Sequence, residues 1–215
     1  MRKAVQYTVI IPTMYFHNEK LQRMLDVYTA NPLIYEILLV NNNKIPENNL
    51  SSLKLRKIGL GINLYVNPSW RLGASLADTE NIILANDDIL IKGDLEELLV
   101  KINEVGLEGK VFGPSANCYR SKGLYEGDIV IEAGKTPKMN HGYGTFLILT
   151  KTTFLKTYIP KDIKVWFGDM ILYEKWNAYT FKGVEIETAF AGTTSKIDLK
   201  GRMELEKRAY YKMKV

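Results

Sequence analysis

The run Tyr7-Thr8-Val9-Ile10-Ile11-Pro12 constrains this chain most, because it is β-branched and apolar at nearly every position instead of every other one. A strand with one wet face alternates; an unbroken apolar run belongs to a strand covered on both faces, as in a parallel sheet. A parallel neighbour requires a crossover, and the following residues supply it. Asn18 can cap a helix, Leu21, Met24, Leu25 and Tyr28 recur at helical spacing, and Asn31-Pro32 ends the pattern. Ile34 to Val40 reads as a second buried strand, ending in Asn41-Asn42-Asn43. The pieces form a β-α-β unit, right-handed by the usual rule, and predict an α/β fold.

The same reading continues downstream. The polar stretch from Lys44 to Lys57 predicts a loop with one short helix, and Ile62 to Val66 a third strand. Pro68-Ser69 opens a helix through Arg71, Leu72 and Leu76, and Asn81 to Ala85 is a fourth strand that runs straight into Asn86-Asp87-Asp88. Asp94 with Glu97 has the form of a capping box, and Gly106 suits the end of the helix it opens. Further strands are expected at Lys110 to Gly113, Asp128 to Glu132, Tyr143 to Leu149 and Val184 to Ala189. Phe167-Gly168-Asp169 leads into a helix through Ile171, Leu172 and Trp176, and a charged helix closes the sequence from Gly201 to Lys212. No repeat, low-complexity tract or linker divides the chain, so one domain is expected over 1–215.

Composition narrows the function. With 215 residues, 46% of them apolar, the chain can bury a sizeable core. A net charge of +5 suits a small anionic ligand such as a nucleotide diphosphate. No basic tract or nucleic-acid motif appears, so nucleic acid is not an expected partner. Cys118 is the only cysteine, which excludes a disulfide framework and a thiolate metal cluster. That usage, with no apolar leader at Met1 to Val5 and no run of about 18 apolar residues, predicts a cytoplasmic protein without a membrane span.

The chemistry concentrates at Asn86-Asp87-Asp88. Carboxylates at the carboxyl end of a parallel strand lie where α/β sheets bind ligands. Two adjacent acids repel unless a cation or a donor intervenes, and Mg²⁺ or Mn²⁺ favours carboxylate plus phosphate oxygens. An acidic turn after a strand is the plainer reading, and the pair alone leaves both open.

The order of elements adds to this. A strand ending in Pro12-Thr13, a helix, a strand ending in Asn41-Asn42-Asn43, then Asn67, Arg71-Leu72-Gly73 and a strand ending in Asn86-Asp87-Asp88 resembles the GT-A glycosyltransferases, particularly the family 2-like group. The chain also looks like the glycosyltransferase domains of large algal (chlorella) DNA viruses, which would place it in host-cell cytoplasm. The resemblance implies a Rossmann-like fold with a central, mostly parallel mixed sheet flanked by helices. It implies a nucleotide-binding half at 1–105, an acceptor half at 106–215, a UDP-sugar donor, a glycan acceptor and Mn²⁺ or Mg²⁺.

Residue roles follow from the same resemblance. Asn86-Asp87-Asp88 stands for the family's DxD motif in an N-x-D form, with Asp88 and Asn86 toward the metal and Asp87 toward the diphosphate. Thr13 and Asn41 are expected at the base and ribose, Arg71 at a phosphate, and Gly73 where backbone nears the nucleotide; Asn42 and Asn43 stay open. Gly142-Tyr143-Gly144-Thr145 resembles the segment flanking the sugar pocket. Trp166-Phe167-Gly168-Asp169 resembles the family's acidic pair, with Gly168 where an acid is usual, so Asp169 alone is the candidate base. A helix N-cap is the plainer reading of Asp169, and core packing of Trp70, Tyr143, Trp166 and Phe167. His17 and His141 are expected to be loop histidines without a special role, leaving a third protein ligand unassigned. Lys196 and Arg202 read as a solvated basic face. Two rivals remain: a non-catalytic nucleotide- or glycan-binding module, and a sugar-nucleotide pyrophosphorylase. The second needs a Gly-rich basic loop where this chain has Met14-Tyr15-Phe16-His17.

Overall fold

The computed structural model describes residues 5–45, 49–119, 127–134, 146–188, 199 and 201–214. Its elements are β1 (Tyr7–Thr13), α1 (Asn18–Ala30), β2 (Ile34–Asn41), β3 (Leu55–Gly59), α2 (Val66–Leu76), β4 (Asn81–Ala85), β5 (Ile89–Lys92), α3 (Leu95–Val105), β6 (Lys110–Pro114), β7 (Val130–Ala133), β8 (Phe146–Thr150), α4 (Lys151–Leu155), α5 (Gly168–Lys175), β9 (Asn177–Lys182), β10 (Glu185–Thr188) and α6 (Arg202–Lys212). Gly142 to Thr145, including Tyr143, lies outside the described residues, as do His141 and Lys196.

One sheet of eight strands runs in the order β3-β2-β1-β4-β8-β6-β9-β7. Strands β1 to β4 are mutually parallel, β8 runs antiparallel between β4 and β6, β9 is parallel to β6, and β7 pairs antiparallel with β9. Alternate residues of each central strand feed opposite layers. Val9, Ile11, Leu39 and Ile83 pack with α1 and α3, while Ile10, Leu38, Val40 and Leu84 pack with Trp70 and Ala74 of α2, Phe154 of α4 and Leu172 of α5. That two-sided cover is what the unbroken apolar strands require. Among the described residues no helix is long and apolar enough to cross a membrane.

The third strand is not where the hydrophobic run suggests. Leu55–Gly59 forms it, and Ile62 is 55% exposed in the connection that follows. The strand is an edge with exposed Arg56 and Lys57, so it lacks the apolar run of its neighbours. α2 starts at Val66, ahead of Pro68, and His17 instead of Asn18 holds the cap position of α1. β5, β9 and α4 were not expected. The predicted box on α3 is present: Asp94 accepts from the Glu97 N–H at 2.8 Å, and Gly106 closes the helix at φ 79°.

Candidate active site

In the order β3-β2-β1-β4, the chain moves outward from β1 to β3 and then returns to the other side of β1. The carboxyl ends of β1 and β4 therefore flank the point where connections diverge, the usual crevice for ligands in an α/β sheet. Thr13 ends β1 and pairs in register with Asn41 at the end of β2. β4 ends at Ala85, so Asn86-Asp87-Asp88 turns over the same rim before β5 begins.

Asp87 and Asp88 are 5% and 6% exposed. The Thr13 hydroxyl donates to Asp87 Oδ2 at 2.7 Å, and the Met14 N–H also faces that carboxylate. Asp88 lies against the start of α1 and the end of β10, near His17, Lys20 and Thr188. Lys20 reaches across to Glu187 of β10 at 3.5 Å, joining the two elements beside Asp88. Burial raises the pKa of both acids above the ordinary value of 3.8, and Asp88 pushes Asp87 further up. Thr13, His17 and Lys20 pull in the opposite direction without overcoming burial. Two adjacent carboxylates repel each other, and carboxylate oxygens are donors of the kind hard cations favour.

Several of the expected site residues have partners within the protein. Thr13 is 2% exposed; its hydroxyl donates to Asp87 and accepts from the Tyr15 N–H at 2.9 Å. It orients a carboxylate, where a base or ribose contact was expected. Asn41 Oδ1 accepts the Asn43 N–H at 2.6 Å, so its oxygen makes the turn that follows β2. Asn42 Oδ1 accepts from Leu64 N–H and Ser69 Oγ, each at 3.0 Å, fastening β2 to the start of α2.

Arg71 donates to the carbonyls of Leu155 and Thr157 at 3.4 and 2.6 Å. Its guanidinium joins α2 to the end of α4, where a phosphate contact was expected. A Cβ on Gly73 would lie 2.3 Å from Ile10 Cγ2, so this glycine lets α2 press on β1. Trp70 is 3% exposed and belongs to the core. Asn86 is half-buried on the acidic turn.

His17, expected to be a loop histidine without a special role, lies on the same rim. It stands beside both acids, with Nε2 buried and without a hydrogen-bond partner. The signal was its distance from the end of β1: a residue four positions past Thr13 has to remain on the same rim. Among the described residues, no three His, Cys, Asp or Glu side chains converge closely enough to form a metal cage.

Asp169 lies in the first turn of α5, where its own N–H and that of Met170 face the carboxylate. Burial of that carboxyl raises its pKa above 3.8. Gly168 is explained by Asn67: a Cβ there would lie 2.2 Å from Asn67 Oδ1. Asn67 donates to the carbonyls of Ile163 and Trp166 at 3.3 and 3.2 Å, which docks the segment before α5 on the start of α2. Through Asn42, α2 and Asn67, Asp169 is tied to the rim that carries the acidic pair.

Among the described residues, three non-glycine residues have positive φ: Tyr15 at 61°, Tyr65 at 67° and Phe167 at 63°. Tyr15 follows β1, Tyr65 caps α2 and Phe167 caps α5, so all three belong to this rim. Left-handed backbone costs a bulky residue about 1–3 kcal/mol, and such strain gathers at ligand sites.

No model of a known protein family matches the sequence. No curated protein matches it either. Solved structures do. The crystal structure of S. aureus TarS 1–349 superposes with a TM-score of 0.56 at 14% identity, covering 81% of this chain and 57% of that one. TarS 1–349 in complex with UDP gives a TM-score of 0.58 at 13% identity, covering 81% and 57%. A further TarS structure gives 0.58 at 13%, covering 83% of this chain and 35% of that chain. This chain thus spans little more than half of the shorter TarS structures and about a third of the longer one. At these identities the likeness establishes the fold: a central, mostly parallel sheet flanked by helices, of the GT-A-like kind.

Proposed function

We propose that the chain transfers a hexose from a nucleotide-diphosphate sugar, specifically a UDP-sugar, to a hydroxyl of a glycan, with Mn²⁺ or Mg²⁺ at the acidic turn. One observation carries this reading: two adjacent, buried carboxylates at the carboxyl end of β4, in the crevice beside β1. The fold supports it, since S. aureus TarS is a glycosyltransferase of this fold and one of its structures holds UDP.

The donor set fits a hard cation. Asp88 is the direct ligand, Asp87 is held at its side by Thr13, and Asn86 adds a neutral amide on the same turn. A cation held by so few protein oxygens would draw on phosphate and water oxygens as well, as Mg²⁺ commonly does. When bound, the cation neutralises the charge that builds on the departing diphosphate. Residues 1–105 form the nucleotide half, with Asn41 beside the nucleoside, and 106–215 the acceptor half.

Asp169 receives the acceptor proton. Its burial makes the carboxylate a stronger base than an exposed aspartate, and the close approach of Gly168 to Asn67 docks the start of α5 on the start of α2. The test is UDP release across a panel of UDP-sugars with Mn²⁺ present. Asp88→Ala is expected to lower that release about 10²-fold or more while the fold persists. Full turnover in Asp88→Ala removes Asp88 from the reaction, and a protein that binds glycans yet ignores UDP and Mn²⁺ is a binding module instead.

A further inference from the structure

We propose that α6 is a clamp that sets the position of Asp169, with Glu206 as the positioning residue at its centre. The inference rests on the transferase reading above and extends it to a helix without an assigned role.

Glu206 is 0% exposed in a helix that is otherwise largely polar. Its carboxylate accepts the Val165 N–H at 3.0 Å and the Trp166 N–H at 2.8 Å. Arg202, one turn earlier, brings a guanidinium nitrogen to 3.9 Å. A buried carboxylate is poor support for stability compared with an apolar side chain of similar size, but it fixes the groups that bind it. Here it fixes the two amides immediately before Phe167.

Phe167 is the left-handed residue that starts α5, and Asp169 lies two positions later. Tyr210, one turn beyond Glu206, stacks on the Phe167 ring with centroids 5.0 Å apart and planes at 19°. At the other end of the face, Arg202 lies 4.3 Å from the centroid of the Tyr65 ring and donates to its hydroxyl at 3.2 Å. Tyr65 is the left-handed residue that starts α2. Arg202, Glu206 and Tyr210 are spaced i, i+4, i+8, so one helix face grips both strained helix starts. Arg202 thereby gains a partner and a task, where a solvated basic face was expected. Nothing in this arrangement requires Glu206 to touch substrate; it acts through the backbone that carries Asp169.

The experiment compares wild type with Glu206→Ala, Glu206→Gln and Arg202→Ala, each in the full chain, using UDP-glucose as donor and methyl glycosides as acceptors. Glu206→Ala is expected to lower kcat for transfer about 10²-fold, the usual cost of a misplacement near 1 Å. UDP affinity by calorimetry should change less than about twofold, because Glu206 bonds to Val165 and Trp166 and not to the acidic turn or the end of β1. Glu206→Gln keeps one carbonyl acceptor and should recover part of the loss.

An activity-independent readout is the ¹³C-detected titration of the Asp169 carboxyl. Its midpoint, raised by burial in wild type, should move down toward 3.8 in Glu206→Ala as the site loosens. If Glu206→Ala does not fold, Glu206→Gln and Arg202→Ala carry the same two measurements. A folded variant with unchanged kcat and an unchanged Asp169 midpoint overturns the clamp. Wild type that releases no UDP with any sugar defeats the transferase reading instead, and the titration midpoint alone then decides the clamp.

Discussion

Asp87 and Asp88 work against the fold that holds them. Burial raises both pKa values, so the ionised form of each carboxylate is disfavoured relative to an exposed aspartate. We therefore expect Asp88→Asn to raise the Tm of the metal-free protein while abolishing UDP release. The rise should be about 2–4 °C, the shift that about 1 kcal/mol makes in a chain of this size. A lower Tm for Asp88→Asn in differential scanning calorimetry would contradict the account. Asp169 gives the matching pH prediction. Its folded pKa lies above the unfolded value near 3.8. Between those values the unfolded chain has lost a proton that the folded chain keeps, so this group's contribution to stability falls as pH rises through that window. Catalysis needs the deprotonated form, so kcat should rise with pH through the same folded-state value. Asp169→Asn should remove that acid limb and lower kcat about 10²–10⁴-fold. An unchanged pH profile in the variant would show that Asp169 handles no proton. The acids themselves were legible in sequence, since they follow an apolar strand directly. The Thr13–Asp87 bond was not, because it arises from β1 and β4 being neighbours in space across 74 positions.

At the scale of elements, the legible parts were those whose hydrophobic period is clean. β1, α1, β2, β4 and α3 are all marked by apolar runs, helical spacing or a capping box. β3 is not, because an edge strand with Arg56 and Lys57 looks like a loop until its pairing with β2 is known. The start of α2 was misplaced for a related reason: Ile62, Leu64 and Val66 look like a strand, but Tyr65 turns left-handed and begins a helix. α2 also carries Arg71 and Gly73, which tie it to the end of α4 and to β1. Arg71→Ala should lower stability by about 1.5–3 kcal/mol, the worth of charge-assisted bonds to the Leu155 and Thr157 carbonyls. Gly73→Ala should lower it by about 1–3 kcal/mol, since the new methyl meets Ile10, which is fully buried. Both variants, once folded, should bind UDP as wild type does. A tenfold loss of UDP affinity in Arg71→Ala without loss of stability would restore its phosphate role.

For the whole molecule, the strand order is what makes a site from scattered residues. Because β4 returns beside β1, the end of the first strand meets an acidic turn more than 70 positions later, and the helix starts of α1, α2 and α5 gather on the same rim. The fold class follows from the β-α-β pattern, whereas the insertion of antiparallel β8 between β4 and β6 depends on long-range pairing that no local signal encodes. The account's central claim is that the turn after β4 grips a cation that bridges to the diphosphate. The direct measurement is the anomalous scattering of a crystal soaked with Mn²⁺ and UDP. We predict a manganese peak within bonding distance of an Asp88 carboxylate oxygen and of diphosphate oxygens. A crystal with UDP bound elsewhere, or with the acidic turn free of manganese while the nucleotide is in place, would contradict it.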